Sequence, residues 1–264
     1  MIFDTHAHYD DSAFDEDRNK MLFSLKEQGV EAIVNVGAEI VGCQKTIELT
    51  EKYPFVYGAL GIHPDGISVL TEDDIISLRD ECIKRSIKSG GKIVAVGEIG
   101  LDYYYPEPEP ELQKKWFARQ LELAHEVNLP VIIHSRDAAQ DTYDIMKEHD
   151  AEKIGGIVHC YSYSKQMAER FLDMGFYFGV GGVITFKNAR KLVETVEYLP
   201  MDSIVLETDC PYLAPVPKRG TRNDSTNLIF VAEKIAEIKG IPTEEVIRIT
   251  NINAKKVYGI NGNT

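Results

Sequence analysis

Short apolar runs alternate with longer mixed segments along the whole chain. The first run, IFDTHAHYD at 2–10, reads as a buried strand that opens into His-x-His. In extended backbone the side chains alternate faces, so His6 and His8 point one way and Thr5 the other. Further apolar runs at 31–37, 55–60, 92–96, 129–134, 155–159, 176–179 and 203–206 read as strands. Between them, apolar residues return at helical spacing. The pattern predicts helices over 15–28, 41–52, from Thr71 towards Lys88, and over 112–127, 138–149, 165–174, 188–198 and 227–239. Thr71 with Asp74 three positions on is a capping box. The alternating prolines of YYYPEPEPE, 103–111, fit neither a central strand nor a helix interior, so they predict a stiff loop.

Eight apolar strands, nearly all followed by helices, imply parallel pairing with right-handed crossovers. The expected architecture is a closed (β/α)8 TIM barrel with additional C-terminal helical turns at 243–250 and 254–258. An open doubly wound sheet is the alternative. It lacks a glycine fingerprint after the first strand and leaves the polar strand ends unexplained. The 264 residues, 44% of them apolar, suit one domain spanning 1–264.

The formal charge of -13 argues against a protein that wraps duplex DNA. It does not exclude a metal site that receives a strand end, because bound cations reverse the local field. Cys43, Cys82, Cys160 and Cys210 are scattered, which suggests neither a zinc knuckle nor a disulfide framework. No run is long enough to span a membrane, and the first strand starts without a leader pattern, so a cytoplasmic location is expected. No coiled-coil pattern is visible. A monomer without an obligate protein partner is the expectation.

The polar strand ends carry the chemistry. The first strand ends in His6 and His8, the fourth leads to Glu98, and the fifth ends in His134. The sixth ends in His159, and the eighth leads to Asp209. A barrel gathers such ends at one mouth. Three or four ligands suffice for one catalytic ion, so this set has room for two if a carboxylate bridges them. Sulfur-free, histidine-rich ligation suits zinc, manganese, cobalt or nickel, whereas magnesium prefers more oxygen.

The ordered motifs Asp4-Thr5-His6-Ala7-His8, Gly97-Glu98-Ile99-Gly100-Leu101-Asp102, PVIIHSR at 130–136, HCYS at 159–162 and ETDCPY at 207–212 resemble the TatD family of metal-dependent deoxyribonucleases. That family belongs to the amidohydrolase-like barrels. The segment NAKKVYG at 253–259 also resembles the family's last helix. The resemblance spans essentially the whole chain. It implies that His6 and His8 bind a first ion with Asp209 nearby, that Glu98 bridges, and that His134 and His159 hold a second ion. It further implies divalent activation by magnesium or manganese, and a histidine facing the phosphate at His63. That histidine could instead shape the Gly-Ile-His-Pro turn. Arg136 could fork onto a phosphate or pair with Asp102 or Asp137. Arg222 is a further expected substrate contact, in a loop whose Lys218, Arg219 and Arg222 could form a basic rim with Lys187. Two departures stand out. Tyr163 occupies a position where the family often has glycine, and Asp224-Ser225 stands where Glu-Pro is common.

The expected reaction is hydrolysis of DNA phosphodiesters, as a 3′-to-5′ exonuclease on single-stranded ends or short oligonucleotides. Asp209 and Glu98 are the expected catalytic carboxylates. The alternative is a metal-dependent amidohydrolase-type enzyme acting on an amide, lactone or cyclic imide. Many such barrels bridge their ions with a carboxylated lysine; here the fifth strand ends in His134 instead.

Overall fold

A computed structural model describes residues 1–260. The strands are β1 (Ile2–Ala7), β2 (Val30–Val36), β3 (Val56–Leu60), β4 (Ile93–Asp102), β5 (Val131–Arg136), β6 (Gly156–Val158), β7 (Tyr177–Val180) and β8 (Ile204–Leu206). They form one parallel sheet in chain order. A parallel bridge between Ala7 and Cys210 brings the end of the eighth unit back to β1. There the His8 N–H donates to Cys210 O at 2.8 Å and the Asp209 N–H to His6 O at 2.9 Å. The expected TIM barrel is the fold.

Helices α1 (Arg18–Leu25), α2 (Ile40–Lys52), α3 (Glu72–Arg85), α4 (Pro110–Val127), α5 (Ala139–Glu148), α6 (Lys165–Asp173), α7 (Arg190–Tyr198), α8 (Leu228–Lys239) and α9 (Thr243–Val257) surround the sheet. The capping box on α3 forms in both directions between Thr71 and Asp74. Strand alternation divides the core. Val34, Val94, Ile132, Ile157 and Val205 share one cluster within the barrel, while their neighbours Ile93, Val131, Ile133, Val158, Ile204 and Leu206 pack in a larger one with the helices. The parity that buries Ile132 and Ile157 inside carries His134 and His159 to the mouth two residues later.

Three elements differ from the pattern-based expectation. Strand β4 runs on through the Gly97–Asp102 motif, because Gly100, Leu101 and Asp102 pair with His134, Ser135 and Arg136 of β5. Helix α1 is shorter than 15–28, preceded by a 3-10 turn at Ser12–Phe14. Helix α9 is one continuous helix rather than two separate turns. The stretch at 251–253, left between the two expected turns, is held by partners outside the helix. Asn251 donates to Met1 O (3.0 Å) and Glu31 (2.9 Å), and Asn253 to Met201 O and Ile204 O, each at 2.8 Å. Tertiary hydrogen bonds thus override weak helix propensity. Among the described residues, no helix is long and apolar enough to cross a membrane.

Candidate metal centre

The expected six side chains meet at the C-terminal mouth of the barrel. Register irregularities lie between Asp4 and Ala7 in β1 and between Val96 and Ile99 in β4. These are the positions of His6 and Glu98, and such irregularities re-aim side chains at sites. Asp209, three residues beyond the end of β8, takes left-handed backbone with φ 56°. Aspartate tolerates this conformation, which is uncommon outside glycine and recurs at functional positions.

His6 Nε2 and His8 Nε2 lie 3.0 Å apart. Asp209 Oδ1 is 3.3 Å from His8 Nε2 and 3.8 Å from His6 Nε2. Glu98 Oε2 is 3.3 Å from His6 Nε2 and 3.8 Å from His8 Nε2. Donor atoms around one ion with bonds of about 2.0–2.2 Å stand roughly 3.0–3.6 Å apart. These four donors therefore fit a cation between them. The other oxygen of Glu98 faces away from this group. Glu98 Oε1 is 2.7 Å from His134 Nδ1, 3.7 Å from His159 Nε2 and 3.9 Å from His63 Nε2. One carboxylate thus presents its two oxygens to two histidine groups, as a bridging ligand must.

The arrangement of the second group differs in detail from the expected pair. His134 and His159 both approach Glu98, but the groups whose donor atoms all lie within 4.8 Å of one another put His159 with His6 and Glu98, and His134 with His63 and Asp102. The cause is Asp102, whose Oδ2 holds His134 Nε2 at 3.0 Å. The ring is fixed between two carboxylates.

Electrostatics bind the cluster together. Burial opposes charge on His8, but Asp209 and Glu98 outweigh it and lift the imidazole to about 9. Burial is likewise outweighed at His134, lifted to about 9 by Asp102 and Glu98, and at His159, lifted to about 10 by Glu207 and Glu98. Burial and the neighbouring His159 lower His6. Burial would raise both carboxyls, yet His159 and His6 hold Glu98 well below its usual range, and His8 holds Asp209 below its own. A divalent cation would replace protons shared among these same groups.

His63 enters the same cavity, of about 490 Å³, which His8, Glu98, His134, His159 and Asp209 also line. Burial and His134 push its imidazole down to about 3. Its Nδ1 accepts the Asp65 N–H at 3.2 Å, which assigns the remaining proton to Nε2 on the Glu98 side. Arg136 stands outside this cavity, its guanidinium 3.7 Å from the Tyr104 ring centroid. The expected pairing with Asp102 or Asp137 is not formed among the described residues, since the arginine stacks on tyrosine instead. Arg222 also lies outside the cavity lining. Its guanidinium grips Asp17 through both oxygens, at 2.8 and 2.6 Å, and donates to Ala13 O. The ion pair with α1's N-cap residue thus occupies the side chain expected to meet substrate. Neither departure touches the proposed ligands. Tyr163 is anchored through its hydroxyl to Ser135 and the Ala138 N–H, and Asp224 caps the turn at Ser225–Asn227.

Three acidic residues behind the ligands are absent from the sequence-derived site. Asp102 orients His134. Glu207 is buried, accepts the Cys160 N–H at 2.6 Å, and lies 3.1 Å from His159 Nδ1, off the direction of a good hydrogen bond. Asp4 is fully buried below His6, takes hydrogen bonds from Thr208 and Ser225, and is pushed up to about 7 by burial. All three sit inside the motifs already quoted. Their adjacency to ligand residues was the available signal, but a sequence does not say which neighbours turn inward.

The family described as "TatD related DNase" matches residues 3–259. The uncharacterized metal-dependent hydrolase YabD of Bacillus subtilis (strain 168) is 42% identical over 261 residues, covering 99% of this chain and 100% of that protein. The similarly described YcfH of Escherichia coli (strain K12) is 33% identical over 263 residues, covering 98% of this chain and 96% of its own length. Among solved structures, the TatD homolog YjjV of Escherichia coli K12 superposes with a TM-score of 0.91 at 32% identity, with 98% of each chain covered. With a family match over residues 3–259 and a relative 42% identical along its whole length, the chain belongs to the TatD family of metal-dependent hydrolases.

Proposed function

We propose that the protein hydrolyses DNA phosphodiesters with two divalent ions, as a 3′-to-5′ exonuclease acting on single-stranded ends. The observation that carries this reading is the carboxylate of Glu98, with one oxygen towards His6 and His8 and the other towards His134 and His159. On this reading His6, His8 and Asp209 would hold one ion, His134 and His159 the other, and Glu98 would serve both. Magnesium or manganese would support turnover, and zinc, nickel or cobalt would also fit the donors. Bound there, the ions would polarise the phosphoryl group and ease the deprotonation of water.

The chain's own groups do the rest. Asp209, kept ionised by His8, accepts the proton of the attacking water. His63 presents a neutral imidazole whose Nε2–H can donate to a phosphoryl oxygen, a contact that strengthens as charge develops there. Asp102 and Glu207 keep His134 and His159 in place.

End-labelled single-stranded DNA and closed circular duplex, offered to metal-loaded and chelator-stripped protein, test the proposal. Loaded protein should shorten the single strand stepwise from its 3′ end and leave the circle closed. Equal or faster cleavage of the circle would refute the exonuclease assignment. Undiminished turnover by His159→Ala would refute the second-ion role.

A further inference from the structure

The mouth of the barrel is electrostatically divided. On the side of the loops after β1, β2 and β3, the main cavity is lined by Asp10, Asp11, Glu39 and Asp65, with Lys45 as the nearby cation. On the other side lies a separate cavity of about 540 Å³, whose lining includes Tyr104, Arg136, Asp137, Ser162, Tyr163 and Lys191. Asp137 is the carboxylate in that lining, set against two cations.

Among the described residues, Arg136 and Arg219 are the arginines that stack on a ring without a carboxylate partner, Arg219 lying over Phe186 at 3.9 Å. Arg79, Arg85, Arg119, Arg190 and Arg248 are each tied to a carboxylate. Among the described residues, Arg136 instead lies over the rings of Tyr104, at 3.7 Å, and Tyr105, at 5.8 Å. Such stacking holds the guanidinium plane while leaving its N–H edge free to donate. The position is tied to the metal centre through the strands. Arg136 follows His134 by two residues on β5, and Tyr104 follows Asp102 by two. Two strand residues advance ~7 Å, so this cavity begins one step beyond the ligands, a distance comparable to one nucleotide.

Resting on the phosphodiesterase reading above, we propose that this second cavity is a subsite for the phosphodiester next to the scissile one. Arg136 and Lys191 bind that phosphate, and the exposed ring of Tyr104 offers a face to a nucleobase. The strand therefore lies over the β4–β6 side. The acidic side opposes any backbone that would continue past the reacting bond, which makes the site dependent on a strand end.

The test compares kcat/KM for a single-stranded tetrathymidylate with that for bis(p-nitrophenyl) phosphate, which has no second phosphate. Wild type and the double variant Arg136→Gln/Lys191→Gln are measured as metal-loaded protein. Both side chains are exposed, and thermal melts check that the fold is retained. The ratio of the two values should fall about tenfold in the double variant, mainly through KM for the oligonucleotide. Its salt dependence should also become shallower by roughly one to two phosphate contacts. An unchanged ratio in a folded variant overturns the subsite but not the phosphodiesterase reading. Failure of wild type to hydrolyse either ester overturns both.

Discussion

Replacing Glu207 by glutamine should weaken metal binding while leaving the barrel folded. Glu207 Oε1 accepts the Cys160 N–H at 2.6 Å, and the glutamine carbonyl can keep that bond. Glu207 Oε2 is buried without a hydrogen-bond partner and lies against Gly179, where an added Cβ would come within 2.0 Å of it. The substitution therefore preserves shape and removes charge 3.1 Å from His159 Nδ1. At that distance and an effective dielectric constant of about 20, the direct attraction to a charged imidazole is about 5 kcal/mol. Desolvation and poor alignment reduce this upper bound. Carboxylates that orient metal-binding histidines typically change affinity by roughly 10–100-fold, or about 1.4–2.7 kcal/mol. Calorimetric titration of metal-stripped protein with manganese or zinc should show that loss in the binding to which His159 is proposed to contribute. The Tm should move little. Affinities within about twofold of wild type, in a folded variant, would refute a role for Glu207 in orienting His159. Gly179→Ala offers an independent check, since its methyl group must displace the carboxylate; it should lower both metal affinity and Tm.

Glu31 ties β2 to α9 by accepting from Lys255 at 2.5 Å and Asn251 at 2.9 Å. Burial opposes its ionisation, but Lys255 and Asn251 outweigh it and lower its carboxyl. The resulting stability is present above the unfolded value and is lost as pH falls through the lower folded value. Glu31→Gln should therefore cost about 1 kcal/mol near pH 7. Urea midpoints of the two proteins should converge below about pH 4; a gap that persists in stronger acid would contradict the ion-pair account. Ile132→Ala, in the fully buried barrel cluster, should lower unfolding stability by about 2–5 kcal/mol, whereas a loss under 1 kcal/mol would mean the cluster collapses around the cavity. Thr71→Ala removes half of the α3 capping box and should cost about 1 kcal/mol; an unchanged denaturation midpoint would show the cap to be redundant.

The alternation of apolar strands and amphipathic helices determined the barrel, because each strand buries both faces and each helix covers one. It also determined which strand ends carry imidazoles and carboxylates, since the side-chain period of two is a local property. The capping box at Thr71 was legible for the same reason: donor and acceptor lie within one helical turn. Contacts across the barrel decided the remainder. Asn251 and Asn253, weak helix formers by themselves, are held in the continuous helix by Met1, Glu31, Met201 and Ile204. His134 turns between Glu98 and Asp102, His63 takes its tautomer from Asp65, and Arg222 goes to Asp17, 205 positions away. Each of these outcomes is a competition among several polar partners of similar strength. Distance and orientation choose the winner, and neither exists until the eight units have closed around one axis.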